Sequence, residues 1–235
     1  MRAAVFGASG GIGAALALAL AERDVAVLVG SRSGAVPVHE NITGFVFDLA
    51  DEPSIAAAAA MMADDPPDLV LVTTGMLTNA RGQGPERSYK ALDPAGMAES
   101  FAVNAIGPAL IAKHMLPLLA RDRRAVFAAL SARVGSIGDN RIGGWHSYRA
   151  SKAALNMLLR NFAIELARTH PLAVVAGLHP GTVDTALSAP FQRGLPEGQL
   201  TAPEAAAGHL LDVLDRLQPA DSGGVFDWRG ARVPE

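Results

Sequence analysis

The most informative absence in this 235-residue chain is cysteine, of which it has none. Without cysteine there can be no disulfide bond, no thiolate metal site and no thiol nucleophile. This absence suits a reducing compartment, and we expect a cytoplasmic protein. Aromatic residues are also scarce, at 5% of the chain, with only two tyrosines and two tryptophans. A tyrosine that falls in a recognisable chemical pattern is therefore informative.

An excess of charge of one sign is also lacking. Lysine and arginine total 20 against 23 acidic residues, and the net charge is -3. Nucleic-acid-binding proteins usually carry a basic patch, so we expect no nucleic-acid partner. No apolar run approaches the roughly 18 residues that a transmembrane helix requires, so we expect no membrane span. The histidines lack the paired spacing of metal ligands, and we expect no metal.

Apolar residues make up 50% of the chain, in strand-like runs that alternate with helix-like runs. This alternation predicts an α/β fold, a doubly wound (Rossmann) parallel sheet of about seven strands with helices on both faces, in a single domain over 1–235. The predicted strands are 3–6, 25–29, 44–47, 68–72, 125–130, 172–177 and 224–228. The predicted helices are 12–22, 53–62, 97–119 with a bend near Pro108, 148–168 and 203–217. Loops are predicted at 75–92, 132–146 and 181–202.

A glycine-rich turn lies between the first predicted strand and the first predicted helix. Glycines there let the backbone approach a pair of phosphates that the amide groups of the helix terminus face. The Gly-x-x-x-Gly-x-Gly spacing alone is a weak signal, and a tight turn without a ligand is the alternative. The predicted cofactor-binding residues of this turn are Gly7, Ser9, Gly10, Gly11, Ile12 and Gly13.

The residues after the second and third strands predict which dinucleotide binds. After the second strand a carboxylate would hold a ribose diol, whereas a cation would hold a 2′-phosphate. Ser31 and Arg32 stand there, so the sequence favours NADP over NAD, with a solvated surface arginine as the alternative. Asp48, followed by Leu49, comes after the third strand. Its carboxylate could accept a hydrogen bond from the adenine amine or cap a helix.

Tyr148 and Lys152 lie one helical turn apart on the same face of a predicted helix. A nearby cation favours phenolate, so this spacing predicts a tyrosine pKa below its usual value near 10. Such a tyrosine can act as a general acid or base at neutral pH. An ordinary helix pair is the alternative, although the chain has only two tyrosines and three lysines.

The order of these motifs resembles that of the short-chain dehydrogenase/reductase family of the compact type over essentially the whole chain. The resemblance rests on the glycine turn, Asn104, the Ser131 region, the Tyr148 and Lys152 pair, and the segment from His179 to Thr185. Within the family the chain is similar to C-factor-like carbonyl reductases, through the sequences at 135–138 and 222–227.

The resemblance implies hydride transfer between a nicotinamide cofactor and a small carbonyl or alcohol substrate. Tyr148 would be the general acid or base, Lys152 would lower its pKa and bind the nicotinamide ribose, and Asn104 would hold a water of the proton relay. It further implies that the cofactor is contacted by Thr74, Gly75, Pro180, Gly181, Val183 and Thr185. A homodimer or homotetramer formed through the helices at 97–119 and 148–168 is also implied. The alternative is a nucleotide-binding regulatory or signalling protein with little catalysis.

Three departures from the family pattern concern support and substrate binding. Phe6 replaces a threonine, and Val72-Thr73-Thr74-Gly75 replaces Asn-Asn-Ala-Gly. Ala132 stands where the substrate-orienting serine is usual, with Ser131 one residue early and Ser136 as a further candidate. We predict Ser131 for that role, with orientation by Tyr148 alone as the alternative. The substrate depends on 76–92 and 186–202, and the residues that could wall its cleft or merely pack locally are Met76, Trp145, His146 and Phe191.

Overall fold

The computed structural model describes residues 1–196 and 198–235. Seven parallel strands form its central sheet, in the order β3-β2-β1-β4-β5-β6-β7. They are β1 Arg2–Phe6, β2 Ala26–Ser31, β3 Ile42–Val46, β4 Leu69–Val72, β5 Ala125–Leu130, β6 Ala173–His179 and β7 Val225–Asp227. The chain reverses its direction across the sheet between β1 and β4. Ligands of doubly wound sheets bind at the carboxyl ends of the strands that flank such a point.

Helices cover both faces of the sheet, and the predicted doubly wound α/β fold is confirmed. Side chains alternate along each strand, so Ala3 and Val5 face one helical layer while Ala4 and Phe6 face the other. The first layer consists of α1 Gly11–Ala21 and α6 Pro203–Arg216. The second layer contains α2 Glu52–Met61, α4 Gly107–Met115 and α5 His146–Leu166, with α3 Pro94–Phe101 packed on α5.

The helix predicted to bend near Pro108 is distorted one turn earlier. Between α3 and α4 the chain forms a π-helical turn, Ala102–Ile106, and a 3-10 turn follows at Leu116–Leu118. Proline has no N–H, so Pro108 cannot bond to the carbonyl of Asn104, its partner in a regular α-helix. The regular hydrogen-bond pattern is interrupted in the preceding turn, which contains Asn104, and π-helical turns of this kind are frequent at functional sites.

All three predicted loops contain short regular segments, and that of the 132–146 loop is a 3-10 turn at Arg133–Gly135. The 75–92 loop includes a 3-10 turn at Tyr89–Ala91. The 181–202 segment includes a 3-10 turn at Ala189–Phe191 and a parallel pair of two-residue strands, Thr182–Val183 with Leu200–Thr201. Two residues are too few to show a strand pattern, so the sequence could not predict this pair. Glu197 lies outside the described residues.

One helical stretch corrects the expectation that no apolar run approaches the length of a transmembrane helix. Pro94–Leu118 covers 25 residues, and its most apolar 18-residue window has a mean hydropathy of 1.2, which is long and apolar enough to cross a membrane. Core helices meet the same criteria, and this one contributes Ile111, Ala112 and Met115 to the apolar layer under the sheet. Length and composition are therefore weak evidence for a span here.

Candidate active site

The glycine turn between β1 and α1 is a cradle that side chains would fill. A Cβ atom on Gly7 would lie 2.7 Å from Thr74 Cγ2, and one on Gly13 would lie 2.5 Å from Thr73 Oγ1. Gly7 also has a φ angle of 102°, which favours glycine. At Gly10, by contrast, no atom lies within 4 Å of the Cβ position. The turn is closed against the sheet and open in front of Gly10, as a phosphate-binding turn requires.

Thr73 and Thr74, which replace the asparagines of the family pattern, support this turn differently. The Thr73 hydroxyl lies 2.9 Å from the carbonyl oxygen of Phe6 and 3.1 Å from that of Gly7, and donates to them. It therefore links the end of β4 to the start of the glycine turn. The Thr74 hydroxyl is buried and has no hydrogen-bond partner among the described residues. A buried polar atom beside an open cradle needs a partner, and a bound ligand can supply one.

Phe6 replaces the family's threonine as part of an aromatic cluster. Its ring centroid lies 5.2 Å from that of Phe45 and 5.1 Å from that of Phe47, in edge-to-face arrangements. Gly30 makes room for these rings, because a Cβ atom there would lie 2.5 Å from Phe45. Phe6 thus lacks the hydroxyl of the family's threonine but adds aromatic packing to the core, and the glycine turn that follows it keeps its form.

The residues after β2 and β3 are those that the sequence predicts to bind the adenosine end of the cofactor. The buried Ser31 hydroxyl donates to the carbonyl of Ala35 at 2.8 Å, so it closes the loop. Arg32 is exposed and forms no ion pair within 1–196 and 198–235. Asp48 accepts a hydrogen bond from the Ala50 amide at 2.9 Å and stabilises the turn before α2. Leu49 packs on Gly107, whose Cβ position lies 2.7 Å from it.

Tyr148 and Lys152 lie in the first two turns of α5. The ammonium nitrogen of Lys152 is 6.0 Å from the centroid of the Tyr148 ring and donates to the carbonyl of Leu130 at 2.8 Å. The Cβ position of Gly75 lies 3.9 Å from that nitrogen and 3.7 Å from Asn104 Oδ1. The fold thus brings together four predicted site residues that come from three separate segments.

Asn104 is fully buried, and its side chain ties the chain after β4 to the π-helical turn. Its Oδ1 accepts from the Met76 amide at 2.8 Å, and its Nδ2 donates to the Met76 carbonyl at 2.9 Å and to Ser151 Oγ at 3.1 Å. Pro108, four positions further along, has no N–H to donate to the Asn104 carbonyl. The water relay itself stays a prediction.

Burial sets the protonation of the central pair, and it corrects one expectation. It raises the pKa of Tyr148 to about 12 and lowers the pKa of Lys152 to about 8. The predicted lowering of the tyrosine pKa is therefore wrong for this structure. Desolvation of a phenolate opposes ionisation more strongly than the ammonium favours it at this separation. Tyr148 is a phenol at neutral pH, which is the form that donates a proton.

The two serines considered for the substrate are engaged elsewhere. Ser131 is buried, and its hydroxyl donates to Asn156 Oδ1 at 2.6 Å, one turn of α5 beyond Lys152. The Ser136 hydroxyl accepts from the Asp139 amide at 3.0 Å. The geometry does not support Ser131 as the carbonyl-binding residue, because its hydroxyl donates to Asn156, which lies two turns of α5 beyond Tyr148.

The segment after β6 reaches the glycine turn, as the resemblance implied. Thr185 Cγ2 lies 3.1 Å from the Cβ position of Gly11. Gly181, which follows Pro180, has a φ angle of 79° and packs on the Trp228 ring, 3.2 Å from its Cβ position. Val183 is buried beside them. The predicted cofactor residues at the two ends of the chain therefore lie along one edge of the sheet.

Sequence reasoning missed Glu86, which holds the start of α5. Its carboxylate accepts from the Ser147 amide at 3.1 Å and from the Ser147 hydroxyl, and its carbonyl accepts from the Trp145 amide. Burial opposes ionisation of Glu86, but the hydrogen bonds from Ser147 outweigh it, and its pKa lies below the usual value. Glu86 and Ser147 are separated by about 60 positions in the chain, so no local sequence motif predicts their contact.

Two cavities share Pro85 and Arg87 in their walls, and Tyr148 lines the first of them. The first, of about 370 Å³, is lined by Tyr148, Ser147, Met76 and Glu86 among others. The second, of about 650 Å³, is lined by Pro85, Arg87, Trp145, Ala189, Pro190, Phe191 and Arg193. Met76, Trp145 and Phe191 therefore wall cavities at the site as the sequence suggested. No cluster of three His, Asp or Glu side chains within 1–196 and 198–235 is arranged to hold a metal ion.

Comparison with known proteins agrees with this geometry. The family model for short chain dehydrogenases matches residues 2–195. The C-signal protein of Myxococcus xanthus is 37% identical over 159 residues, which are 68% of this chain and 90% of that protein.

Solved structures are similar over the whole chain. A Burkholderia multivorans structure, described as a short-chain dehydrogenase/reductase with bound NADP, has a TM-score of 0.83 at 27% identity and covers 100% of this chain and 99% of its own. An NADPH-bound carbonyl reductase from chicken fatty liver has a TM-score of 0.84 at 24% identity, with 100% and 94% covered, and shows the shared fold. The chain belongs to the short-chain dehydrogenase family of oxidoreductases, with C-factor-like similarity.

Proposed function

We propose that this protein is an NADP-dependent oxidoreductase that reduces a small aldehyde or ketone to an alcohol, or catalyses the reverse reaction. The observation that carries the proposal is the position of Lys152 beside Gly75, after the end of β4, with the Tyr148 ring 6.0 Å from the lysine nitrogen. A proton donor thus lies next to a backbone cradle suited to a dinucleotide.

The residues present fit a nicotinamide dinucleotide. The open face at Gly10, the unpartnered Thr74 hydroxyl beside Gly7 and the approach of Thr185 to Gly11 all lie at the glycine turn, where the phosphates and the nicotinamide end would bind. When bound, the nicotinamide would supply or accept the hydride. Two solved structures of the same fold carry NADP or NADPH, which supports this choice of cofactor.

The preference for NADP rests on Arg32. It stands at the end of β2, is exposed, and has no carboxylate partner in the described part of the chain. A guanidinium there makes charge-assisted hydrogen bonds to a 2′-phosphate that it cannot make to a ribose hydroxyl. Comparing NADPH with NADH in the same assay tests this preference.

The proton chemistry follows from the two shifted pKa values. As the carbonyl carbon is reduced, its oxygen gains negative charge, and the Tyr148 phenol donates its proton to that oxygen. The Lys152 ammonium, close to the ring, stabilises the phenolate that remains. Asn104 supports the site by fixing Met76, and we expect it to hold the water that returns the proton. Ala132 supplies no second hydroxyl, so Tyr148 alone orients the carbonyl.

The test is the loss of activity in Tyr148→Phe. Native protein mixed with NADPH and a panel of small aldehydes and ketones should oxidise the cofactor, as followed by its absorbance. Removing the phenolic proton should lower kcat by about 10²-fold or more, the usual contribution of a general acid. Tyr89→Phe is the matched control, since Tyr89 is the only other tyrosine and is exposed. Absence of oxidation by native protein, or an unaffected Tyr148→Phe variant, contradicts the proposal.

A regulatory or signalling role is the second candidate, and two observations favour it. Both serines near the site have their hydroxyls in internal hydrogen bonds, and a 37% identical relative bears the name C-signal. Titration calorimetry separates the two functions. Tight NADP binding with no turnover across a broad carbonyl panel would favour regulation, whereas turnover that Tyr148→Phe abolishes would exclude a purely regulatory protein.

A further inference from the structure

The second cavity combines arginine with aromatic side chains. Arg87 comes from the 75–92 loop and Arg193 from the 181–202 segment, and both side chains are exposed. The other residues that line the cavity within 1–196 and 198–235 are apolar, with no Asp or Glu among them. Arg87 has no ion pair in these ranges. The cavity therefore presents positive charge on an apolar wall.

The aromatic wall leads from the catalytic tyrosine to these arginines. The Trp145 ring centroid lies 6.2 Å from that of Tyr148 and 5.5 Å from that of Phe191. Trp145 adopts a left-handed backbone conformation with φ 52°, which is costly for a bulky residue and is held by the hydrogen bond from its amide to Glu86. Gly84 accommodates the Phe191 ring, 3.1 Å from its Cβ position. Specific packing contacts and a hydrogen bond therefore fix the positions of the Trp145 and Phe191 rings.

Arg87 connects the two cavities. Together with Pro85 it lines both of them, and the first cavity includes Tyr148. The neighbouring carboxylate of Glu86 lines only the first cavity, where the amide and hydroxyl of Ser147 hold it. A molecule whose carbonyl lies at Tyr148 can therefore extend past Trp145 with its far end at the guanidinium groups.

We propose that the substrate is a planar, aromatic carbonyl compound that carries a carboxylate, which Arg87 and Arg193 bind in the second cavity. This proposal rests on the proposed function, since it assigns the carbonyl end to Tyr148. A guanidinium matches a carboxylate through paired hydrogen bonds, and it tolerates an aromatic surface because it stacks on rings. The ring system of the substrate lies against Trp145 and Phe191.

The experiment compares matched carbonyl substrates with and without the carboxylate. The pairs are benzaldehyde with 4-carboxybenzaldehyde, and acetophenone with 4-acetylbenzoate, each with NADPH. We expect kcat/KM to be about tenfold higher for the carboxylated member, the effect of one hydrogen bond to a charged group. Arg87→Gln should lower kcat/KM for the carboxylated member about tenfold more than for its neutral partner, mainly through KM, and Arg193→Gln should also reduce the difference between the two members. Arg216→Gln, on α6 and outside both cavities, is the control and should change neither.

The outcomes separate this proposal from the proposed function. If neutral and carboxylated substrates react equally well, the carboxylate site is wrong and the reductase remains. If no carbonyl compound reacts, the proposed function fails. The carboxylate site is then tested separately, by calorimetric measurement of terephthalate binding with NADP present. Binding that Arg87→Gln weakens about tenfold supports the carboxylate site. No binding, or binding unchanged in that variant, overturns it.

Discussion

At the scale of single residues, the site places a lysine where burial opposes its charge. Lys152 is 3% exposed, and its pKa is lowered from 10.5 to about 8. Below pH 8 both the folded and the unfolded chain are protonated, and the folded chain bears the full cost of the buried ammonium. Between pH 8 and 10.5 only the unfolded chain keeps the proton, so the free energy of unfolding rises with pH there. The cost at neutral pH is about 3 kcal/mol.

Lys152→Met should therefore make the protein more stable and inactive. Methionine fills the space of the lysine stem without a charge, although the Leu130 carbonyl loses a hydrogen bond worth about 1 kcal/mol. We expect urea denaturation at pH 7 to show about 1–2 kcal/mol of stabilisation, which shrinks as the pH rises from 8 towards 10.5.

Lys113→Met is the control for this measurement, since Lys113 is exposed and pairs with Glu52 at the surface. It should change the stability much less than Lys152→Met does, because exposed ion pairs contribute little to stability. Destabilisation of Lys152→Met by the same amount at pH 7 and pH 10 would show that burial does not penalise the ammonium.

Single residues also show where sequence reasoning ends. The spacing of Tyr148 and Lys152 is local and indicated the central pair, whereas the sign of the tyrosine pKa shift depends on packing from other segments. The direction of the Ser131 hydroxyl depends on Asn156, which lies 25 positions away. Along a strand, a step of one residue moves a side chain to the opposite face, so Ser131 could not take over from position 132 without a bulge.

At the scale of elements, apolar runs predicted all seven strands of the main sheet, and β5 has the predicted bounds. Such runs suffice because strands buried on both faces are almost continuously apolar. The π-helical turn at Ala102–Ile106 and the start of α5 at His146 escaped prediction. The first involves bonds between Asn104 and Met76, and the second a bond from Ser147 to Glu86. Neither partner lies close enough in sequence to form a recognisable cap or turn motif.

Glu86 acts as the N-terminal cap of α5 from a remote loop, because Trp145 at the cap position has no side-chain acceptor. Glu86→Ala should lower the free energy of unfolding by about 1–2 kcal/mol, the usual cost of losing a cap. It should also lower kcat, since the first turn of α5 carries Tyr148. Glu86→Gln keeps one acceptor oxygen, so its free energy of unfolding and its kcat should lie between those of the native protein and of Glu86→Ala.

Denaturant unfolding and steady-state kinetics on the same preparations test this role. Asp51→Ala is a matched control, because Asp51 precedes α2 without a side-chain cap hydrogen bond. If Glu86→Ala and Asp51→Ala lower stability and kcat equally little, the remote cap contributes nothing to the helix or to the site.

At the scale of the whole molecule, the site is assembled by the topology of the sheet. The glycine turn follows β1, Gly75 follows β4, and Gly181 and Thr185 follow β6, so the carboxyl ends of parallel strands bring distant segments to one edge. This placement follows from strand order, which the alternation of elements implies for a doubly wound fold. The cavities beside Tyr148 depend instead on how two long loops meet at Gly84 and Phe191, which no periodic pattern encodes.

The helical layer next to the site also exposes apolar side chains in the pattern of an interface. Met157 and Ile164 are 62% and 50% exposed and lie seven positions apart, on one face of α5. Ile106, on the neighbouring helical segment, is 53% exposed. We predict that the protein forms a homodimer or homotetramer through these two helices, related by a twofold axis.

Met157→Asp should break this assembly, because a twofold axis places each new carboxylate near its copy in an apolar contact and leaves both without a partner. Sedimentation velocity at micromolar concentration should show native protein as a dimer or tetramer and Met157→Asp as a smaller species. Met61→Asp is the control, since Met61 is similarly exposed and lies on α2, outside the two helices of the predicted interface. Native protein that sediments as a monomer, or a Met157→Asp variant of unchanged size, would place these exposed side chains outside any stable interface.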